Sequence, residues 1–209
     1  MRKWTSLGLA IAATAMATTQ VAAQPASPSW NGFYAGLNAG GMFGNTSGSF
    51  ASPAGPGGFS GAGSGFAGGA QAGYNYLLGP VVLGGEIDFQ GSTFAAGVSG
   101  GSGFGPFNTT ERTPWFSTMR ARVGYPVGTV MPYLTGGAVW GQHTIDGPIS
   151  ASANYWTWTA GGGIEGLVTD RWSMKLEYLY MGAPSTSLLP GINETANNNL
   201  IRVGVNYHF

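Results

Sequence analysis

Apolar and polar residues alternate along most of the chain. In the closing stretch, Ile201, Val203, Val205, Tyr207 and Phe209 share one parity, while Arg202, Gly204, Asn206 and His208 share the other. Successive side chains on a β-strand point to opposite faces, so a period of two marks a strand with one apolar and one polar side. The same period recurs in eight segments: 30–43, 66–78, 80–91, 112–124, 130–142, 154–168, 171–182 and 199–209. Each is about a dozen residues long, close to the ~9–11 that a tilted strand needs to cross a bilayer. The spacers alternate in length. A long one (44–65) is followed by "GP", then a long one (92–111), a short one, a medium one (143–153), a short one and a long one (183–198). That rhythm predicts an all-β fold. The expected form is an eight-stranded antiparallel up-and-down transmembrane β-barrel, with short periplasmic turns and long extracellular loops.

The faces sort consistently. Leu83, Ile87 and Phe89 oppose Glu86, Asp88 and Gln90; Met119, Ala121 and Val123 oppose Thr118, Arg120 and Arg122. Trp156, Trp158 and Ile164 oppose Thr157, Thr159 and Glu165, and Trp172, Met174, Leu176, Tyr178 and Tyr180 oppose Ser173, Lys175 and Glu177. Segment 130–142 is apolar on both parities, so its register stays open. Parity alone does not separate a soluble barrel with an apolar interior from a membrane barrel with an apolar exterior. Composition does. Charged residues are 8% of the chain and aromatics 13%, against ~25% charged in soluble domains. A solvated polar face would need far more charge than this chain carries. Trp30, Phe33, Tyr74, Tyr76, Tyr155, Trp156, Trp158, Trp172, Tyr178, Tyr180, Tyr207 and Phe209 lie near segment ends, which predicts interfacial girdles.

The interior then receives eight charges: Glu86, Asp88, Glu165 and Glu177 against Arg120, Arg122, Lys175 and Arg202. An eight-stranded barrel is just wide enough for side chains to fill. Charges withdrawn from water need partners, so this balance predicts a salt-bridged, plugged lumen. Glycines on the lumen parity (Gly36, Gly73, Gly124, Gly161 and Gly163) argue the other way, by leaving space for a pore.

The N-terminus begins "MRK", continues with the short apolar stretch 7–17 and reaches "VAA" at 21–23. This predicts a signal peptide over 1–23 cleaved near Ala23, a linker at 24–29 and the barrel at 30–209. Loss of Arg2 and Lys3 leaves six basic against eight acidic residues, which gives no electrostatic case for nucleic acid. There is no Cys, hence no disulfide frame or thiol site.

Several stretches, in order, carry a family resemblance: "WNGFYAG" (30–36), "GYNY" (73–76), "GGEIDF" (84–89), "RARVGY" (120–125), "PYLTGG" (132–137), "GGGIE" (161–165), "KLEYLY" (175–180) and "VGVNYHF" (203–209). Together they resemble the small Gram-negative outer-membrane porin-like β-barrels, the opacity-protein-like group related to the OmpA transmembrane domain. The resemblance implies location in the cell outer membrane. It also implies contact with outer-membrane lipid and lipopolysaccharide, and handling by periplasmic chaperones and the barrel-assembly machinery, with Tyr207 and Phe209 as the assembly signal. The chain departs from the pattern in its Gly/Ser/Ala-rich loops, at Gly166 and at His208. Oligomeric state is not implied.

Other motifs carry little chemistry. "GSGFAG" (63–68) matches a nucleotide-binding glycine pattern but opens no helix. "GAVWG" (137–141) matches a helix-packing pattern in a predicted strand. His143 and His208 fall far apart, so no metal site and no cofactor is expected. His143 with Asp146 is the one pair that a rim enzyme could use, and a solvated loop edge is the expected alternative. Phe50, Phe59, Phe66, Phe94, Phe104 and Phe107 lie among glycines in the two long spacers, which carry no charge as far as Phe107. They could form an adhesive surface, but are expected to fold onto the barrel mouth or the lipid interface.

The reading is a non-enzymatic outer-membrane barrel with a structural and surface-interaction role in the envelope. The alternatives are a narrow gated porin for small solutes, and haem or host-surface binding through the loops.

Overall fold

The computed structural model describes residues 30–53, 55–102, 105–146, 150–183 and 192–209. The expected signal peptide and linker, and Phe104, lie outside them. Eight antiparallel strands close into one barrel: β1 (Gly32–Ser52), β2 (Gly55–Leu78), β3 (Val81–Ser102), β4 (Gly105–Gly124), β5 (Val130–Asp146), β6 (Ala151–Leu167), β7 (Trp172–Met181) and β8 (Ile192–His208). Each strand pairs with its chain neighbours, and β8 pairs with β1, from Tyr34 opposite His208 to Phe50 opposite Ile192. Phe209 donates its N–H to the Phe33 carbonyl at 3.0 Å, so pairing with the first strand holds the chain to its final residue. Closure leaves no sheet edge in a solvent that cannot hydrogen-bond it.

The turn ends of the strands fall close to the expected positions. The β2–β3 turn uses Gly79 at φ 59 and the β4–β5 turn uses Gly128 at φ 64, a left-handed backbone that glycine adopts without strain. The opposite ends differ from expectation. The spacers 44–65 and 92–111 are not open loops. β1 and β2 stay paired from Gly32 opposite Asn75 to Ser52 opposite Gly55, and β3 and β4 stay paired out to Ser102 opposite Gly105. Gly and Ser show no hydrophobic alternation, yet their backbones still complete a ladder. The result is two long hairpins standing above the barrel.

The outward face is apolar over about ten residues per strand, from Phe33 to Phe43 on β1 and from Val130 to Trp140 on β5. Ten residues at ~3.3 Å rise, tilted ~40°, span ~25 Å, the height of a lipid-facing band. Aromatics border it. At the turn side Phe33 meets Tyr74 edge to face (4.6 Å between ring centroids) and Tyr207 contacts both Trp172 and Phe209. At the other side Phe89, Trp115, Trp140 and Trp156 form a chain of ring contacts 5.1–6.0 Å apart. Two of the expected girdle residues turn inward instead. Trp30 precedes β1 and folds under the barrel mouth, where it packs with Val82, Met131 and Leu167. Tyr155 has the inward parity of Thr157 and Thr159 and is buried.

Pairing also fixes β5. Met131, Tyr133, Thr135 and Val139 point in with their neighbours Glu165, Arg122 and Thr118, and Leu134 and Trp140 point out. Above the outer girdle the register of β4 shifts between Arg112 and Trp115, around Pro114, which cannot donate to a ladder.

Candidate functional site

All eight predicted lumen charges lie inside the barrel wall, each nearly or fully buried. Strand alternation places them. Glu86 and Asp88 stand two residues apart on β3, Arg120 and Arg122 on β4, and Lys175 and Glu177 on β7; Glu165 comes from β6 and Arg202 from β8. Arg120 is the hub. Its guanidinium reaches Asp88 Oδ2 at 3.0 Å and Glu177 Oε1 at 3.0 Å, and it also bonds Glu86. Lys175 Nζ donates to both Glu86 oxygens at 2.8 Å. Arg202 bonds Glu177 through Nε at 2.7 Å and Asp88 through Nη2 at 2.9 Å. Arg122 bonds Glu165 at 2.5 Å. Every buried charge therefore meets an opposite one, the condition under which ions tolerate a low-dielectric interior.

Neutral side chains complete the network. Tyr34 donates to Glu86 at 2.7 Å and accepts from Arg122 at 3.1 Å. Tyr133 donates to Glu177 at 2.9 Å, while its ring lies 4.2 Å from the Arg122 guanidinium carbon. Asn38, Gln71 and Asn206 form a relay, with Asn206 Nδ2 donating to Glu165 at 2.8 Å. Ser173 bridges Glu165 and His208. Sequence reading set Ser173, Asn206 and His208 on the polar parity of Lys175, Glu177 and Arg202, but passed over Tyr34, Asn38, Gln71 and Tyr133, whose strands carry none of the lumen charges.

The lumen glycines do not leave space. A Cβ on Gly73 would strike the Tyr34 ring, on Gly163 the Tyr133 ring, on Gly36 the Asn206 amide, on Gly124 the Met131 sulfur and on Gly161 the Tyr178 backbone carbonyl. The glycines are the hollows into which the bulky network members fit.

Two apolar layers bound the network. Trp30, Val82 and Met131 close it on the turn side. On the other side lie Met42, Phe116, Val139, Leu179 and Leu200, all essentially without solvent exposure. Three strands repeat the sequence of tiers: Arg120 then Phe116 on β4, Glu177 then Leu179 on β7, and Arg202 then Leu200 on β8.

Beyond that septum is an outer cavity of about 40 Å³, lined by residues including Asn45, Glu111, Thr113, His143, Tyr155 and Asn198. His143 Nε2 is 3.7 Å from Glu111 Oε2. The candidate pairing of His143 with Asp146 does not form, because residues three apart on a strand face opposite sides. Asp146 instead meets Arg112 at 2.9 Å on the exposed outer face. Burial lowers the His143 pKa below its ordinary value, which favours the neutral imidazole.

The spacer phenylalanines also resolve. Phe94 is buried inside the barrel. Phe50 and Phe107 are half-buried on the inner face of the hairpins, with ring centroids 6.3 Å apart. Phe66 alone of the described ones is broadly exposed, at the outer girdle.

Residues 9–209 match the family model described as "Outer membrane protein beta-barrel domain". The chain is 34% identical to the 31 kDa outer-membrane immunogenic protein of Brucella melitensis biotype 1, over 98% of this chain and 97% of that one. It is 32% identical to the 25 kDa outer-membrane immunogenic protein of Brucella canis, over 58% of this chain and 62% of that one. Among solved structures, Neisserial surface protein A superposes with a TM-score of 0.53 at 14% identity, over 85% of this chain and 97% of that one. At that identity the likeness concerns the fold alone.

Proposed function

Since the chain belongs to the outer membrane protein β-barrel family, we propose that this outer-membrane protein is a closed anchor rather than a channel. In this reading the barrel holds the β1–β4 hairpins rigidly above the cell surface, as a structural and interaction element of the envelope. The observation that carries it is the interior. Four acids and four bases pair with one another between two apolar layers, and the hollows at the lumen glycines are occupied by Tyr34, Tyr133 and Asn206. A solute would have to break several buried ion pairs, at several kcal/mol each. The relatives' name, outer-membrane immunogenic protein, agrees with a surface-exposed role for the hairpins.

The test is single-channel recording from the purified, refolded barrel in a planar bilayer, after a heat-dependent gel shift has established folding. A silent wild-type barrel is expected. Regular conductance steps, changed in size by Arg120→Ala or Glu177→Ala, would overturn the closed reading in favour of a gated pore.

A further inference from the structure

The turn-side apolar layer differs from the septum in how its members are held. Val82, Met131 and Leu167 stand on β3, β5 and β6, but Trp30, buried against them, lies ahead of β1 and outside every strand. It joins β1 through Gly32, whose φ of 125 is a backbone that glycine adopts without strain. Space does not call for that glycine, since a Cβ there would meet nothing nearer than the Phe209 carbonyl at 3.9 Å. Two single hydrogen bonds tie the segment down. The Leu77 N–H donates to Asn31 Oδ1 at 3.0 Å on the exposed surface. Trp30 Nε1 donates to the Gly128 carbonyl of the β4–β5 turn at 3.4 Å, longer than the ~2.7–3.2 Å of a well-formed bond. Trp30 thus reaches across the mouth to a turn 98 residues further along the chain, and its ring meets that of His208 edge-on at 6.2 Å.

We propose that Trp30 is a hinged lid on the turn-side mouth, swinging at Gly32 and clasped by Asn31, and that its opening lets water reach the polar tier beneath. That tier supplies the reason to open. Asn75 stands opposite Gly32 on β1 and opposite Gly84 on β3, and Gly84 in turn stands opposite Arg122 on β4. Gly84 is one inward step from Val82 along β3. Among the described residues, none hydrogen-bonds either amide atom of Asn75 or Nε of Arg122, although all three atoms are buried. Exchanging the amide oxygen and nitrogen would leave both still without a partner. A buried polar group in that condition costs free energy, so the closed lid maintains a desolvation penalty that entering water removes. Burial of the indole against Val82, Met131 and Leu167 opposes it. Two opposing terms of this kind set a local opening that lies well below global unfolding. The septum of Met42, Phe116, Val139, Leu179 and Leu200 lies beyond the charge network and is not disturbed, so the lid and the closed lumen stand or fall separately.

The experiment places a single cysteine under the lid, Val82→Cys, in a chain that has none of its own. The refolded barrel in detergent micelles, where both mouths face water, is treated with a water-soluble maleimide. Labelling is timed on protein that the heat-dependent gel shift shows to be folded. Slow labelling is expected with the native lid. Trp30→Ala should speed it by about tenfold or more, since the covering ring is gone. Asn31→Ala removes the clasp but none of the ring packing, and should speed it by about two- to tenfold, the effect of one net hydrogen bond, with the gel shift unchanged. Val139→Cys in the septum should stay unlabelled in all three backgrounds. Met131→Cys, in the same turn-side layer, replaces Val82→Cys if that variant does not fold. Equal Val82→Cys rates with and without Trp30→Ala would mean that the ring covers nothing. An Asn31→Ala rate equal to wild type would make Trp30 a fixed packing residue, and equal acceleration of Val139→Cys would mean that the whole barrel opens. Any of these three results would overturn the lid.

Discussion

The barrel below the outer girdle and the hairpins above it are built from the same strands with opposite sidedness. Below, β3 points Ile87 and Phe89 outward and Glu86 and Asp88 inward; above, it points Gly97 and Ser99 outward and Ala96 and Val98 inward. β1 makes the same change, from Leu37 outside and Asn38 inside to Ser47 and Ser49 outside and Phe50 inside. The backbone ladder runs on through the change. What reverses is the solvent. Lipid demands an apolar exterior, so the polar groups go inside and must satisfy one another. Water permits a polar exterior, so the rings go inside, as in an ordinary antiparallel sheet. The difference teaches that the position of the membrane is written in which parity carries the apolar residue, not in where the strands end.

The sharpest way to break this comparison is inside the lower interior. Glu177→Ala would leave Arg202, Arg120 and Tyr133 without their shared acceptor and should cost about 3–5 kcal/mol, measured by urea unfolding in lipid vesicles. A lipid-facing charge comes next. Leu134→Arg, near the middle of the band, should cost about 2–4 kcal/mol, whereas Ser99→Arg on the outside of β3 should be nearly neutral; equal costs would place the two surfaces in the same solvent. Gly73→Val should push on the Tyr34 ring and cost about 1–3 kcal/mol by overpacking, in the same unfolding assay. Phe107→Ala removes a half-buried ring from the hairpins and should raise protease cleavage there without moving the global unfolding midpoint. The smallest effect belongs to Arg112→Ala, which breaks the exposed pair with Asp146 and should change stability by less than about 1 kcal/mol.

Much of the lower region was legible in the sequence because every strand there alternates strongly. Glu86, Arg120, Glu177 and Arg202 each sit between apolar residues, so parity placed them on one side, and composition placed that side inward. The network's neutral members were not legible in the same way. Tyr34 and Tyr133 look like girdle residues by type, and only pairing shows them pointing at Glu86 and Glu177. The upper region was the least legible. Glycine scores as neither apolar nor polar, so the spacers hid paired strands whose only pattern was the isolated Phe50, Phe59 and Phe107. The proximity of Glu111 to His143 was hidden by the register shift in β4, which sets Glu111 on the parity opposite to Arg120 and Arg122.

The most direct test of this account is chemical labelling of single cysteines, since the chain contains none of its own. Cysteine is introduced one site at a time along β3 at Ile87, Phe89, Gln90, Val98 and Ser99, and each refolded barrel is exposed in vesicles to a water-soluble and a lipid-soluble maleimide. The account predicts that Ser99→Cys reacts from water and that Ile87→Cys and Phe89→Cys react only from lipid. Gln90→Cys and Val98→Cys should react with neither. Labelling of Gln90→Cys from water would mean an open lumen, and lipid-side labelling of Ser99→Cys would mean that the sidedness does not reverse.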